Sequence, residues 1–192
     1  MPFYAAYKPY GFLSQFTREA PDHKVLGDLQ AFPRDVYPLG RLEMDSEGLV
    51  LLTDKKEENS RLLSPSRKHP RTFWVQVEGS ITPAAIQALN SGITIHIKGK
   101  PHHCQPAKTK LIKPTDMPDR DPPVRYRATI PTSWIELRLT EGKNRQVRRM
   151  CAAIGFPVLR LIRVQIGALQ LPAMEIGKVW ELSRNDWEKA FR

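Results

Sequence analysis

The sequence predicts an α+β fold built on a mixed, antiparallel-rich central sheet flanked by helices. Short runs that alternate apolar and polar residues lie next to one another across turn-forming residues, as hairpin strands do. Helical patterns are interspersed among these runs without the strict alternation of a parallel α/β chain. The length of 192 residues, 41% of them apolar, suffices for a single domain with a sizeable core.

Each element has a local reason. Residues 3–7 read as a first strand, stopped by the turn signal Lys8-Pro9-Tyr10-Gly11. Residues 22–29 read as a short helix with Asp22 as its N-cap, and residues 36–41 and 48–53 as strands around a polar, acidic turn. Residues 57–63 read as helix, and residues 72–78 alternate as a strand does. Thr82-Pro83 opens a helix that runs through residue 89 and closes at Ser91-Gly92, after which Ile93, Ile95 and Ile97 mark a strand. The proline-rich residues 113–124 form a long loop, and loops of that length often carry function. Residues 134–139 read as strand, 144–154 as helix and 158–166 as strand, with a terminal helix after Ser183. There is no internal repeat and no low-complexity tract. The expected organisation is one domain over residues 1–192, divisible into subdomains at about 1–64 and 65–192.

The charge is lopsided. The chain carries 30 Lys and Arg against 20 Asp and Glu, net +10, and residues 1–64 are net −2, so the whole excess lies beyond residue 64. It concentrates in Arg67, Lys68 and Arg71, in the acid-free stretch with Lys98, Lys100, Lys108, Lys110 and Lys113, and in the six basic residues from Lys143 to Arg163 behind the single acid Glu141. Clusters of this kind suit a polyanion such as nucleic acid, and equally a solvated basic surface. Apolar runs such as residues 49–52 are too short to span a bilayer, and no basic-then-apolar leader opens the chain. With only Cys104 and Cys151, neither a disulfide framework nor a four-cysteine zinc site is available, and a reducing cytoplasm is the expected setting.

Two segments concentrate chemistry. On a helical wheel over residues 144–154, Val147, Met150, Cys151 and Ile154 form a core stripe; Arg145 and Arg149 fall opposite it, and Arg148 lies on its flank, where an arginine can reach into a cleft. The turn Gly40-Arg41-Leu42-Glu43-Met44-Asp45-Ser46-Glu47-Gly48 packs three carboxylates into five positions between two apolar strands. By its residues alone it could be an acid/base or nucleophile site, a cation loop or a solvated turn, though its spacing does not fit an EF-hand.

These segments, with Tyr7-Lys8-Pro9 and Trp74-Val75-Gln76-Val77-Glu78-Gly79, resemble in order and spacing the RsuA-type pseudouridine synthases, and the match runs over almost the whole chain. The stretches Asp121-Pro122-Pro123-Val124-Arg125, Ile130-Pro131-Thr132-Ser133-Trp134 and Gly155-Phe156-Pro157 onward are most similar to the branch known as large-subunit ribosomal pseudouridine synthase E, which lacks the small N-terminal RNA-binding domain of its relatives. The resemblance implies a pseudouridine synthase catalytic core and the isomerisation of an extruded uridine in large-subunit ribosomal RNA, without metal or other cofactor, by a cytoplasmic monomer with no membrane partner. It implies Glu43 in the position of the nucleophilic carboxylate, Arg148 as its partner and Phe73 as the wall on which the base stacks. Substrate and RNA contacts are implied for Lys8, which belongs to a pocket-supporting motif, for Arg41, and for Asp45, Lys143, Arg145 and Arg149.

The chain departs from the family pattern twice, with Glu43 where the family has aspartate and Phe73 where it has tyrosine. Two alternatives therefore stand beside the enzyme reading: a catalytically impaired RNA-binding or ribosome-assembly protein on the same fold, and a shifted turn in which Asp45 is the nucleophile. His102-His103-Cys104 offers no second ligand pair of suitable spacing, and no metal site is expected. None of Trp74, Trp134, Trp180 and Trp187 is expected to read a base, since tryptophans in apolar strands usually pack.

Overall fold

The computed structural model describes residues 2–64, 69–125 and 127–192; Arg67 and Lys68 of the first basic cluster lie outside the described residues. In chain order the elements are β1 (Phe3–Lys8), β2 (Phe12–Leu13), β3 (Lys24–Val25), a 3-10 turn (Leu26–Asp28), β4 (Tyr37–Leu39), β5 (Glu47–Thr53), α1 (Lys56–Leu63), β6 (Arg71–Glu78), α2 (Pro83–Ser91), β7 (Thr94–Ile97), β8 (Lys100–His103), β9 (Lys108–Ile112), β10 (Thr132–Leu139), α3 (Gln146–Ala153), β11 (Val158–Ile166), β12 (Leu169–Gln170), β13 (Val179–Glu181) and α4 (Arg184–Lys189).

Among the described residues the main sheet has nine strands, in the order β13-β1-β5-β11-β6-β10-β9, with β4 added to β5 and β12 to β11. Every pairing in it is antiparallel except β5 with β11, which run parallel for only two residue pairs, Glu47 with Ile162 and Gly48 with Arg163. Beyond Gly48 the two strands part, and β4 takes over the edge of β5 from Leu51 to Thr53. The sheet thus forks at the acidic turn. The close approach at the fork requires glycine: a Cβ on Gly48, whose φ is +102°, would stand 2.3 Å from the Arg163 carbonyl oxygen.

All seven residues of β5 are buried because apolar clusters cover both faces of this half of the sheet. One cluster joins Phe3, Leu49 and Leu51 to Trp187 and Ala190 of α4. The other joins Ala6, Val50 and Leu52 to Leu26, Val36 and Leu42. A third core lies under β6, β10 and β11, where Val75, Ile135, Leu137 and Leu161 meet Leu89 of α2 and Val147, Met150 and Cys151 of α3. No helix among the described residues is long and apolar enough to cross a membrane.

Several local expectations are corrected. Residues 22–29 are not a helix: Lys24 and Val25 pair with Phe12 and Leu13, and only a 3-10 turn follows, in which Asp28 accepts from the Val25 amide at 2.8 Å. Tertiary pairing overrides a weak eight-residue helical pattern containing Gly27. The strand at 36–41 shortens to β4 because Gly40, φ +68°, turns the chain away. The isoleucine strand pairs with an unforeseen β8 through Lys98 and Gly99, both at positive φ, as a two-residue hairpin turn demands. The α3 helix begins at Gln146, not Asn144; Arg145 is its N-cap, in the left-handed region at φ +52°.

Candidate active site

The acidic turn is a preorganised loop. Ser14 Oγ donates to the Leu42 carbonyl and accepts from the Leu42 amide, both at 3.0 Å. The Ser46 amide donates to Glu43 O at 3.0 Å, the Gly11 amide to Met44 O at 2.8 Å, and Arg148 Nη2 to Asp45 O at 2.5 Å. Lys8, expected to touch substrate, is instead completely buried beneath the turn, with its ammonium donating to Pro9 O at 2.9 Å, Phe12 O at 2.8 Å and Met44 O at 3.4 Å. Burial pushes its pKa down to about 7, against the opposing pull of Glu47, Asp45 and Glu43. Its part is to hold the turn from below.

The three carboxylates of the turn go three ways. Glu47 is 1% exposed and accepts from Arg160 Nε and Nη2, both at 2.8 Å, and from the Tyr7 hydroxyl at 3.2 Å. Burial and the Glu47 charge push the Tyr7 phenol well above its ordinary range. Arg160 also donates to Pro118 O at 2.8 Å, which ties the long loop to the back of the site. Asp45 is gripped by Arg145, at 3.1 Å to Oδ1 and 2.8 Å to Oδ2. Burial works to raise the Asp45 carboxyl, but the Arg145 hydrogen bonds and the charges of Arg148 and Arg145 outweigh it and hold the group below the usual carboxylate range. Only Glu43 of the three lines the cavity, and its carboxylate is loosely held, 3.5 Å from both Arg148 Nε and Arg145 Nη1 and 3.4 Å from Ser46 Oγ.

The opposite wall comes from the loop before α3. Gln146 accepts from the Lys143 amide at 2.9 Å and donates to Glu141 at 2.6 Å, which folds residues 141–145 into a tight entry and aims Arg145 and Arg148 at the turn. The Arg145 position refines the helical wheel: as a left-handed cap it lies outside the helix, so its side chain reaches Asp45 while remaining partly exposed. Arg149 donates to His96 O at 2.7 Å and Asn144 O at 3.2 Å, and it does not line the cavity.

The cavity of about 800 Å³ extends over the fork, lined on one side by Tyr37, Pro38 and Leu39 of β4 and on the other by Arg163 and Ile166 of β11. Arg41, Glu43, Phe73, Lys143, Arg145 and Arg148 all line it, so six of the nine residues singled out in the sequence converge there, and none of the tryptophans does. Phe73 stands two residues along β6 from Arg71 and opposite Arg163 on β11, so the three share one face. Arg71 and Arg163 were noted in the sequence only as members of charge clusters, and nothing local marks them as cavity residues. His102 and Cys104 gain a third potential ligand, with donor atoms of His102, Cys104 and Glu141 all within 4.8 Å of one another. The Glu141 carboxylate already accepts from the Gln105 amide at 2.8 Å and from Gln146.

A family model described as RNA pseudouridylate synthase matches residues 2–153. The "Ribosomal large subunit pseudouridine synthase E" of Xanthomonas axonopodis pv. citri is 47% identical over 169 residues, covering 87% of this chain and 86% of the relative. The protein of the same name from Vibrio vulnificus is 43% identical over 176 residues, covering 92% of this chain and 73% of the relative. A solved structure described as "Crystal structure of pseudouridylate synthase" superposes with a TM-score of 0.78 at 26% identity, over 98% of this chain and 73% of that one. The reading as a catalytically impaired RNA-binding protein gains no support from relatives that are named as synthases.

Proposed function

The chain belongs to the RNA pseudouridylate synthase family, and from that premise we propose that it converts a uridine of large-subunit ribosomal RNA into pseudouridine with Glu43 as the nucleophilic carboxylate. The reaction is an isomerisation: the C1′–N1 glycosidic bond breaks, the uracil turns within the cavity, a C1′–C5 bond forms, and the proton lost from C5 is balanced by one gained at N1. No oxidant, reductant or second substrate enters the balance. The observation that carries the assignment is the division of labour in the turn. Asp45 is committed to Arg145 and Glu47 to Arg160, while Glu43, of the three, lines the cavity that Phe73 also lines.

The residues divide the work by position. Arg148 holds the Asp45 carbonyl at 2.5 Å and stands 3.5 Å from the Glu43 carboxylate, so one guanidinium fixes the loop and sets a positive charge beside the nucleophile. Phe73 offers an aromatic face for the extruded base. Arg41 and Lys143, both exposed where they line the cavity, are read as the contacts to the flanking RNA backbone. The protein is read as a cytoplasmic monomer acting without metal or other cofactor.

The test is to incubate unmodified large-subunit rRNA with the protein and map pseudouridine by carbodiimide-adduct primer extension. Wild type gives a new stop that disappears in Glu43→Gln. Asp45→Asn, which loses one arm of the Arg145 grip, keeps the stop at a reduced rate. Loss of the stop in Asp45→Asn with full retention in Glu43→Gln would overturn the assignment in favour of Asp45.

A further inference from the structure

Among the described residues, two guanidinium groups on the inner wall of the cavity, those of Arg71 and Arg163, have no anionic partner. Arg163 is 5% exposed; its Nε donates to Leu49 O at 2.8 Å, but one terminal amino group is buried without any hydrogen bond. The guanidinium of Arg71, half-buried at the start of β6, takes part in no hydrogen bond or ion pair among the described residues. Its Nη1 lies 3.3 Å from where a Cβ on Gly142 would stand, so the glycine leaves room for the guanidinium against the 141–145 loop. Burial, reinforced by the Arg71 charge, pushes Arg163 down to about 9, and burial lowers Arg71 as well.

Buried charges are normally paired, and two like charges on one wall are doubly unfavourable. The nearby carboxylates have other partners: Glu47 is engaged by Arg160, Asp45 by Arg145 and Glu141 by the Gln105 amide, Gln146 and His102, while the loosely held Glu43 has its ion pairs with Arg145 and Arg148. The wall is therefore short of an anion while the protein is free. An unpaired guanidinium fork suits a tetrahedral oxyanion, which accepts from more than one direction.

We infer that Arg71 and Arg163 form a phosphate subsite, in which Arg71 contacts the phosphodiester flanking the nucleotide whose base stacks on Phe73 and Arg163 supplies a second positive charge from beneath. The inference rests on the RNA-modifying reading for the source of the phosphate and on the uncompensated arginines for its chemistry. It accounts for one buried and one half-buried positive charge that lack an anion in the free protein. Each substrate molecule that enters then supplies that anion, and binding energy is gathered beside the reacting nucleotide rather than at the rim.

The first measurement is thermal unfolding with inorganic phosphate up to ~50 mM, ionic strength held constant with chloride. Wild type gains stability saturably with phosphate, Arg71→Lys gains less, and Arg71→Gln gains nothing although it begins no less stable than wild type. Arg163→Met, which removes the deeper charge, behaves as Arg71→Gln does. A purely structural pair gives the opposite signature, with variants that unfold earlier in chloride alone and respond to phosphate as wild type does, and that result overturns the subsite. So does a wild type indifferent to phosphate.

The second measurement uses an rRNA fragment carrying the mapped uridine, with the linkage on its 5′ or 3′ side replaced by a neutral methylphosphonate. In wild type one of the two replacements raises KM by about tenfold or more, the worth of a charge-assisted hydrogen bond, with kcat little changed. In Arg71→Gln the same replacement costs nothing further. Equal penalties in the two proteins would mean that Arg71 does not read that phosphate. Should wild type modify no rRNA uridine at all, the functional reading fails on its own, and the phosphate-dependent stability still decides the subsite.

Discussion

At the scale of single residues, burial and partnership separate side chains that look alike in the sequence. Phe73 is the clearest test of the base-stacking wall: Phe73→Ala should lower kcat/KM by about ten- to a hundredfold, the worth of one base–aromatic contact, while Phe73→Tyr keeps the ring and the rate. Steady-state kinetics on the rRNA fragment checks both. Lys8 is testable through pH. Its folded pKa of about 7 lies below its usual 10.5, so between these values the unfolded chain holds a proton that the folded chain has released. Raising the pH across that window therefore favours folding, and wild type should gain on Lys8→Met by up to ~1.4 kcal/mol per pH unit. Urea unfolding at pH 7, 8 and 9 reads the difference; a gap that stays flat or narrows with rising pH would show that the burial of Lys8 does not perturb it. Of the residues marked in the sequence, Glu43, Phe73 and Arg148 reach the cavity, whereas Lys8 and Arg149 do not. The sequence marks charge, but it does not say whether a lysine points out to a phosphate or inward to three carbonyls.

At the scale of elements, the site depends on one crossing of β5 and β11. Gly48→Ala would drive a methyl into the Arg163 carbonyl at 2.3 Å in a backbone region hostile to L side chains, and should cost about 3 kcal/mol or more. The expected result is a lowered melting temperature together with lost activity, because the same contact sets the spacing from β11 to the acidic turn. The periodic elements were legible: β6, α2, β10, α3 and β11 all fall where apolar periodicity puts them, to within a few residues. Two of the misses, residues 22–29 and the N-terminus of α3, are places where a few residues are captured by partners elsewhere in the chain. Arg145 shows the consequence. A wheel begun two residues too early puts it opposite the core stripe, whereas the left-handed cap sends it to Asp45, 100 residues away.

At the scale of the whole molecule, the basic surplus beyond residue 64 is brought against the acidic turn of the first part, so the carboxylates are neutralised locally and the rim stays cationic. Binding to single-stranded rRNA fragments should weaken with salt. Arg41→Ala and Lys143→Ala should each reduce the slope of log K against log salt by about 0.7, the share of one phosphate contact. Arg149→Ala, whose guanidinium is already spent on backbone carbonyls, should leave the slope unchanged. Filter binding from low to moderate salt distinguishes them, and a loss of slope in Arg149→Ala alone would move the RNA to the other face of α3.

By itself the sequence determined the mixed α+β character, the order of the main strands and helices, the core stripe of α3 and the concentration of acid between two apolar strands. All of these follow from local propensity and from periods of two and 3.6 residues, which are written into neighbouring positions. Only the tertiary structure decided which of three carboxylates lines the cavity, which arginine holds which acid, and that Arg71 and Arg163 share a wall with Phe73. Those outcomes are set by contacts between residues about 100 positions apart, Arg145 with Asp45 and Arg160 with Glu47, and by the forked junction at Gly48. Local sequence does not encode that register. The packing of the sheet and of α3 against it does.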